Sequence, residues 1–239
     1  MNIENFNIED VIVELKKEKR IFCSEADFQH TLAWTIKKKY KSKIKKIYLE
    51  YPFIKLQEEH NHLDILIILN DNKIIPIELK YKTTYPGANK DKKGKLYNNY
   101  KEKIKFKVRN QGAKNYGCYN YIKDISRIEM FKDDKMFKDN FKEGYAIFLT
   151  NDSSYWKKGN SKSDYYNFSI YHKRHIEKDE TLTWKYPEKH NLYPEIKIKG
   201  TYDFYWNPYY KKCKEYKSKE NFGEFKYLIT TIKQTLYDQ

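Results

Sequence analysis

The chain has 239 residues, of which 39% are hydrophobic and 17% aromatic, which is enough bulk to close the core of one domain. Lys and Arg total 48 against 33 Asp and Glu, so the formal net charge is +15. This charge favours a polyanionic partner, although all but four of the basic residues are lysine, as a biased codon composition would also produce. There is no run of about 18 to 20 apolar residues and no signal-peptide layout at the first residues. We therefore expect a cytoplasmic protein without a membrane segment, built as a single domain over 1–239 with a core at about 20–150 and an elaboration at about 151–239.

The first third of the chain carries two helical patterns and three strand patterns. Apolar residues at helical spacing predict a helix over 7–19, and Ser24 is a suitable N-cap for a second helix that continues to Tyr40. Strand-like runs follow at 46–54, 62–69 and 73–81. The last two runs are separated by a short turn of Asn and Asp residues, so they should form a hairpin.

The rest of the chain begins with a polar, Lys-rich excursion over 82–109. Beyond it the patterns predict a helix over 111–130 with one apolar stripe, a buried strand over 144–150, strand-like patches at 166–172 and 195–206, and a closing helix over 224–236. Helices alternate with strands in the core, so the sequence predicts an α/β fold with a central mixed sheet flanked by helices and an aromatic-rich C-terminal extension.

Charged residues interrupt two of the predicted strands. Glu78 and Lys80 project from one face of the third strand, because side chains alternate along a strand. Asp64 interrupts the apolar run 62–69, where an acid is costly unless it is paired or binds a metal. Pairing across the turn places Asp64 beside Glu78 or within one residue of it. Two converging carboxylates repel each other, and a divalent cation is the usual resolution. The alternative is an exposed edge strand with an ordinary ion pair.

The pattern of Asp64, thirteen intervening residues, and then Glu78-Leu79-Lys80 resembles the active site of the PD-(D/E)XK nuclease superfamily, and the chain looks like a prokaryotic branch of it. The resemblance implies a restriction-endonuclease-like core in which Asp64 and Glu78 bind Mg²⁺, with Mn²⁺ as a substitute. Lys80 would be the catalytic cation that orients the attacking water and stabilises charge on the phosphate. The chain departs from the family pattern at Leu63, which stands in place of proline.

Helix geometry adds a third acid to this set. Glu25 points in the same direction as Leu32 and Ile36 on the second helix, so it should face the sheet, whereas Asp27 points away. The resemblance implies that a glutamate in this place is a further metal ligand and catalytic acid. Glu50 shares strand parity with Tyr48 and is a candidate fourth acid.

Basic residues directly after the third strand are candidate nucleic-acid contacts. Lys101, Lys103, Lys105 and Lys107 alternate as in an extended arm that follows a phosphate backbone, with Arg109 and Gln111 behind them. The alternative for this stretch is a solvated loop in a Lys-rich protein.

The sequence thus predicts an Mg²⁺-dependent deoxyribonuclease, in the manner of a restriction or defence endonuclease, with DNA as the expected partner and RNA as the alternative. Cleavage of both strands of a duplex often uses two active sites, which favours a homodimer. The rival hypotheses are a non-catalytic nucleic-acid-binding protein on the same fold and an RNase.

Overall fold

The computed structural model describes residues 6–18, 21–52, 62–84, 95–99, 104–108, 111–210 and 224–234. The helices are α1 (Ile8–Glu18), α2 (Glu25–Lys39) and α3 (Lys114–Asp133). The strands are β1 (Ile44–Pro52), β2 (His62–Leu69), β3 (Ile74–Lys82), β4 (Lys95–Asn99), β5 (Ile104–Val108), β6 (Glu143–Thr150), β7 (Arg174–Ile176), β8 (Thr181–Leu182), β9 (Ile196–Lys197), β10 (Tyr202–Phe204), β11 (Asn207–Tyr210) and β12 (Phe225–Lys233).

A six-stranded mixed sheet forms the centre of the molecule, in the order β1-β2-β3-β6-β12-β11. β3 and β6 run parallel, and the other neighbouring pairs of this sheet are antiparallel. The parallel connection passes through α3, as a parallel pair requires a long crossover. The predicted α/β class with a central mixed sheet is therefore confirmed.

Helices cover both faces of this sheet. α1 and α2 share one buried apolar cluster with inward residues of β1, β2, β3 and β6. α3 shares a second cluster with the opposite face and with the aromatic residues of 151–210. No helix among the described residues is both long and apolar enough to span a bilayer.

The N-terminal helices and the β2–β3 turn form where the sequence patterns predict them. Buried residues at helical spacing fix α1, and the Ser24 hydroxyl caps α2 by accepting the N–H of Asp27 at 3.1 Å. The turn between β2 and β3 uses Asn72 at φ 64°, a conformation that asparagine adopts at low cost. The predicted hairpin is confirmed.

The prediction of a closing helix over 224–236 was wrong, because β12 is a strand of the central sheet, between β6 and β11. Both faces of β12 are buried: Leu228 and Ile232 enter one apolar cluster, while Phe225 and Tyr227 enter the other. A strand buried on both faces loses the simple alternation of apolar and polar residues, so periodicity alone cannot separate it from a helix.

The strand expected at 166–172 was also wrong, whereas 195–206 contains β9 and β10. Tyr166–Phe168 form one turn of 3-10 helix instead. The buried guanidinium of Arg174 donates to the carbonyl oxygens of Tyr166, Asn167 and Ser169. These carbonyl groups therefore have a side-chain partner and need no neighbouring strand.

Candidate active site

Asp64 and Glu78 lie together where β2 and β3 begin to separate. The ladder between the two strands ends at the pair Ile65 and Ile77, one residue from each acid. β3 continues to Lys82 along β6, so its edge toward β2 is left open beyond this point. The predicted proximity of Asp64 and Glu78 is confirmed.

Two carboxylates fill the opening between the strands. Asp64 Oδ2 accepts the N–H of Leu79 at 2.5 Å, and Glu25 Oε2 accepts the N–H of Tyr81 at 2.7 Å. Each carboxylate thus accepts a backbone N–H of β3 that would otherwise bind a carbonyl group of a neighbouring strand. The prediction that Glu25 faces the sheet is confirmed, and its place on the first turn of α2 is fixed by the Ser24 cap.

Glu50 lies at the margin of the same group. The side-chain amide of Gln29 donates to Glu50 Oε1 at 2.6 Å and to the carbonyl oxygen of Asp64 at 2.7 Å. Glu50 itself has φ 49° on β1, a left-handed conformation that re-aims its side chain relative to the strand. Gln29 therefore ties α2 to the strand segments that carry Glu50 and Asp64.

Two residues of α3 complete the group, and the sequence interpretation missed both. Asp124 Oδ2 lies 2.8 Å from Lys80 Nζ, which also donates to the carbonyl oxygen of Leu79 at 3.0 Å. Arg127 Nη2 lies 3.2 Å from Glu78 Oε1, and Arg127 Nη1 lies 3.7 Å from Asp124 Oδ1. We call Glu25, Asp64, Glu78, Lys80, Asp124 and Arg127 the acid cluster.

A signal for Asp124 was present in the sequence. Tyr121, Ile125 and Ile128 form the apolar stripe of α3, and Asp124 stands three residues after Tyr121 on that same face. A charged residue on a buried stripe requires a partner, and Lys80 on the facing strand is one.

The acid cluster holds more negative than positive charge. Four carboxylates face two cations, an excess of two negative charges when all are ionised. Burial raises the pKa of Asp64 to about 6, against the opposing attraction of Lys80 and with added repulsion from Asp124. Burial, and then repulsion from Asp124, also raises the pKa of Glu78, which is 1% exposed. The pKa of Asp124 is raised by burial despite the nearby Lys80.

For Lys80, neighbouring charges outweigh burial in setting the pKa. Burial alone would lower the pKa of its ammonium group, but Asp124, Glu25, Asp64 and Glu78 together outweigh burial, so the pKa of Lys80 is raised above its ordinary value. Lys80 is therefore a permanent cation at neutral pH.

The residues of the acid cluster fit a hard dication in charge and in donor type. Carboxylate oxygens are the ligands that Mg²⁺ and Mn²⁺ prefer. Glu78 Oε1 and Asp124 Oδ2 are buried atoms without a hydrogen bond, although each contacts a cation. Among the described residues, no three His, Cys, Asp or Glu side chains already converge as a metal-holding group. The assignment of Asp64, Glu78 and Glu25 as metal ligands stays a prediction.

The basic excursion is partly described. Lys101, Lys103 and Arg109 lie outside the described residues, while Lys105 and Lys107 lie on β5, which pairs with β4 as an antiparallel ribbon. We call β4 and β5 with their connecting residues the basic arm.

Hydrogen bonds hold the two residues that follow β3, Thr83 and Thr84. Gln111 donates its backbone N–H to the carbonyl oxygen of Thr83 at 3.0 Å and accepts the N–H of Thr83 at 3.2 Å through Oε1. Asn151 binds the N–H and carbonyl groups of Thr84 in the same way, at 2.8 and 2.9 Å. Thr83 and Thr84, the two residues after β3, are thus held by Gln111 and Asn151, and the basic arm begins at Lys95, 13 residues after β3 ends.

We compared the chain with family models, with curated proteins and with solved structures, and none of the three comparisons returned a match.

Proposed function

We propose that the protein is a metal-dependent phosphodiesterase that acts on DNA. The observation that carries this proposal is the acid cluster, in which four acids and two cations from α2, β2, β3 and α3 meet with an excess of two negative charges. Such an excess in a largely buried group opposes folding unless a cation compensates it. Buried charge that the protein does not fully compensate is typical of functional sites.

In this proposal the carboxylates of the acid cluster bind the metal ion, and Lys80 attracts the phosphate. A bound Mg²⁺ ion supplies Lewis acidity toward a phosphate oxygen and lowers the pKa of water. Asp64 and Glu78 would hold the ion, with Glu25 beside them. Lys80 keeps its proton, so it acts by attracting phosphate oxygens and orienting water, and not as a general base. Asp124 holds the ammonium group of Lys80 in place at 2.8 Å.

The basic arm supports a nucleic acid as the substrate. It begins at Lys95, 13 residues after the end of β3, the strand that carries Glu78 and Lys80, and Lys105 and Lys107 lie on β5. Lysines along a ribbon bind phosphates without reading the bases, so they add affinity independent of sequence. The substrate would then extend from the basic arm to the acid cluster.

The direct test is incubation with supercoiled plasmid, linear duplex, single-stranded DNA and RNA, each with Mg²⁺ and with EDTA. We expect DNA cleavage that requires Mg²⁺ and that falls at least about a hundredfold in Asp64→Asn and Lys80→Met. Lys197→Met is the matched control, because Lys197 is exposed and pairs with Asp179 outside the acid cluster. Cleavage of DNA by Asp64→Asn at the wild-type rate would overturn the proposal, and cleavage of RNA alone would reassign the substrate.

One observation favours a non-catalytic nucleic-acid-binding protein instead. Lys80 and Arg127 each contact an acid of the cluster, so part of its charge is balanced within the protein. Calorimetry with Mn²⁺ separates the two functions. A catalytic site should bind the ion in a way that Asp64→Asn abolishes, whereas a binding protein should take up nucleic acid equally well with and without the ion.

A further inference from the structure

The guanidinium of Arg127 is shared between the backbone of β2 and two acids, because Nη2 donates to the carbonyl oxygen of His62 and also lies beside Glu78. Its side chain is 12% exposed, and its contacts with Glu78 and Asp124 measure 3.2 and 3.7 Å. A bidentate arginine and carboxylate pair would show two parallel bonds shorter than these. Arg127 Nε is buried and makes no hydrogen bond, so the group is also incompletely satisfied.

Asp124 carries the opposite charge and is paired with Lys80. It is 3% exposed and lies 2.8 Å from Lys80 Nζ. Asp124 and Arg127 stand three residues apart on α3, so one helix face presents one negative and one positive group to the acid cluster.

We propose that Arg127 competes with a dication for Glu78, so that α3 sets the metal affinity of the acid cluster: Arg127 lowers it and Asp124 raises it. This inference rests on the proposed function, because it assumes that the acid cluster is a metal site. Arg127 and Asp124 are thus positioning residues that act through Glu78 and Lys80.

The physical reason is the Coulomb energy in a partly dehydrated site. A guanidinium beside Glu78 compensates one of the excess negative charges, and it also repels a second cation that approaches the same carboxylate. A purely structural ion pair would predict a different outcome, since removal of either partner would then only destabilise the fold.

The test is calorimetric titration of the whole protein with Mn²⁺ at about pH 8. We expect Arg127→Gln to bind Mn²⁺ roughly tenfold more tightly than wild type, and Asp124→Asn roughly tenfold more weakly. Arg127→Lys keeps the positive charge and should stay close to wild type. Lys132→Met and Asp133→Asn are matched controls, because they remove the same charges from α3 outside the acid cluster.

A second readout needs no bound metal at the start. In EDTA, Arg127→Gln should melt at a lower temperature than wild type because Glu78 loses its cation, and added Mn²⁺ should raise its melting temperature by more than it raises that of wild type. If Arg127→Gln does not fold, Arg127→Lys tests the same charge argument, since a shift of its Mn²⁺ affinity beyond that of the controls would overturn the proposal.

The outcomes separate the two proposals. Unchanged or weaker Mn²⁺ binding by Arg127→Gln, in a protein that cleaves DNA, overturns this inference alone. The expected opposite shifts in affinity without cleavage of any nucleic acid support this inference and overturn the proposed function. Absence of Mn²⁺ binding by wild type and by Arg127→Gln overturns both.

Discussion

Asp64 is a residue whose charge opposes folding at neutral pH. Burial raises its pKa in the folded protein to about 6, above the ordinary value of 3.8. Between those two values the folded state binds the proton and the unfolded state does not, so the free energy of unfolding falls as the pH rises. Stabilisation from Asp64 is therefore present below about pH 4 and is lost as the pH passes about 6.

We expect Asp64→Asn to stabilise the protein at neutral pH. The amide oxygen can still accept the N–H of Leu79, while the buried charge is removed. The gain should be on the order of 1 to 3 kcal/mol at about pH 8 and should vanish near pH 4, where Asp64 is already protonated. Urea denaturation at the two pH values measures it.

Asp71→Asn is the control for this prediction, because Asp71 lies in the exposed turn before β3 and binds only the N–H of Lys73 among the described hydrogen bonds. It should show no gain that depends on pH. A lower stability of Asp64→Asn at about pH 8 would contradict the raised pKa.

At the residue scale, four of the six residues of the acid cluster could be predicted from the sequence. Glu25, Asp64, Glu78 and Lys80 were predictable because each breaks an apolar pattern or continues a short motif. Arg127 was not, because its partner Glu78 lies 49 residues away along the chain, and no local pattern reports a contact between a helix and a strand at that separation.

At the scale of elements, the β2–β3 hairpin and α3 position the site from opposite sides. The hairpin was predictable from its short polar turn and two apolar runs. The pairing of β6 with β12 was not, because β12 follows β6 only after a long intervening stretch and because its burial on both faces hides its period. A fold is thus easier to predict where pairing is local.

Tyr121 connects α3 to the two strands β6 and β12. Its hydroxyl donates to the carbonyl oxygen of Ala146 at 3.0 Å and lies 2.8 Å from Thr230 Oγ1. We expect Tyr121→Phe to lower the free energy of unfolding by about 1 to 2 kcal/mol, because Thr230 is buried and loses this partner. Thermal or urea unfolding measures the change.

Tyr186→Phe is the matched control, since the side chain of Tyr186 is largely exposed. It should change the free energy of unfolding by less than about 0.5 kcal/mol. Equal effects of the two substitutions would show that the hydroxyl of Tyr121 does not join α3 to the sheet.

At the scale of the whole molecule, the net charge of +15 predicts binding to nucleic acid only if it is concentrated near the site. We expect substitution of Lys101, Lys103, Lys105 and Lys107 by Gln to flatten the dependence of DNA affinity on salt. The slope of log affinity against log salt should fall by about one unit for each phosphate contact that is lost. Fluorescence anisotropy at several salt concentrations measures this slope.

The control variant replaces four lysines outside the basic arm by Gln, namely Lys211, Lys212, Lys214 and Lys217. A smaller change of slope in this variant would assign the phosphate contacts to the basic arm. Equal changes in both variants would mean that the protein binds DNA through its overall charge.

The position of β12 has a consequence for synthesis of the chain on the ribosome. β6 pairs with β3, which is made before it, and with β12, which begins 75 residues after β6 ends. Throughout that interval the nascent chain has a central, apolar strand with one edge unpaired, the situation in which chains bind one another instead of folding. Translation that pauses between residues 150 and 225 should therefore raise the fraction of chains that aggregate, and a chaperone that covers strand edges should lower it.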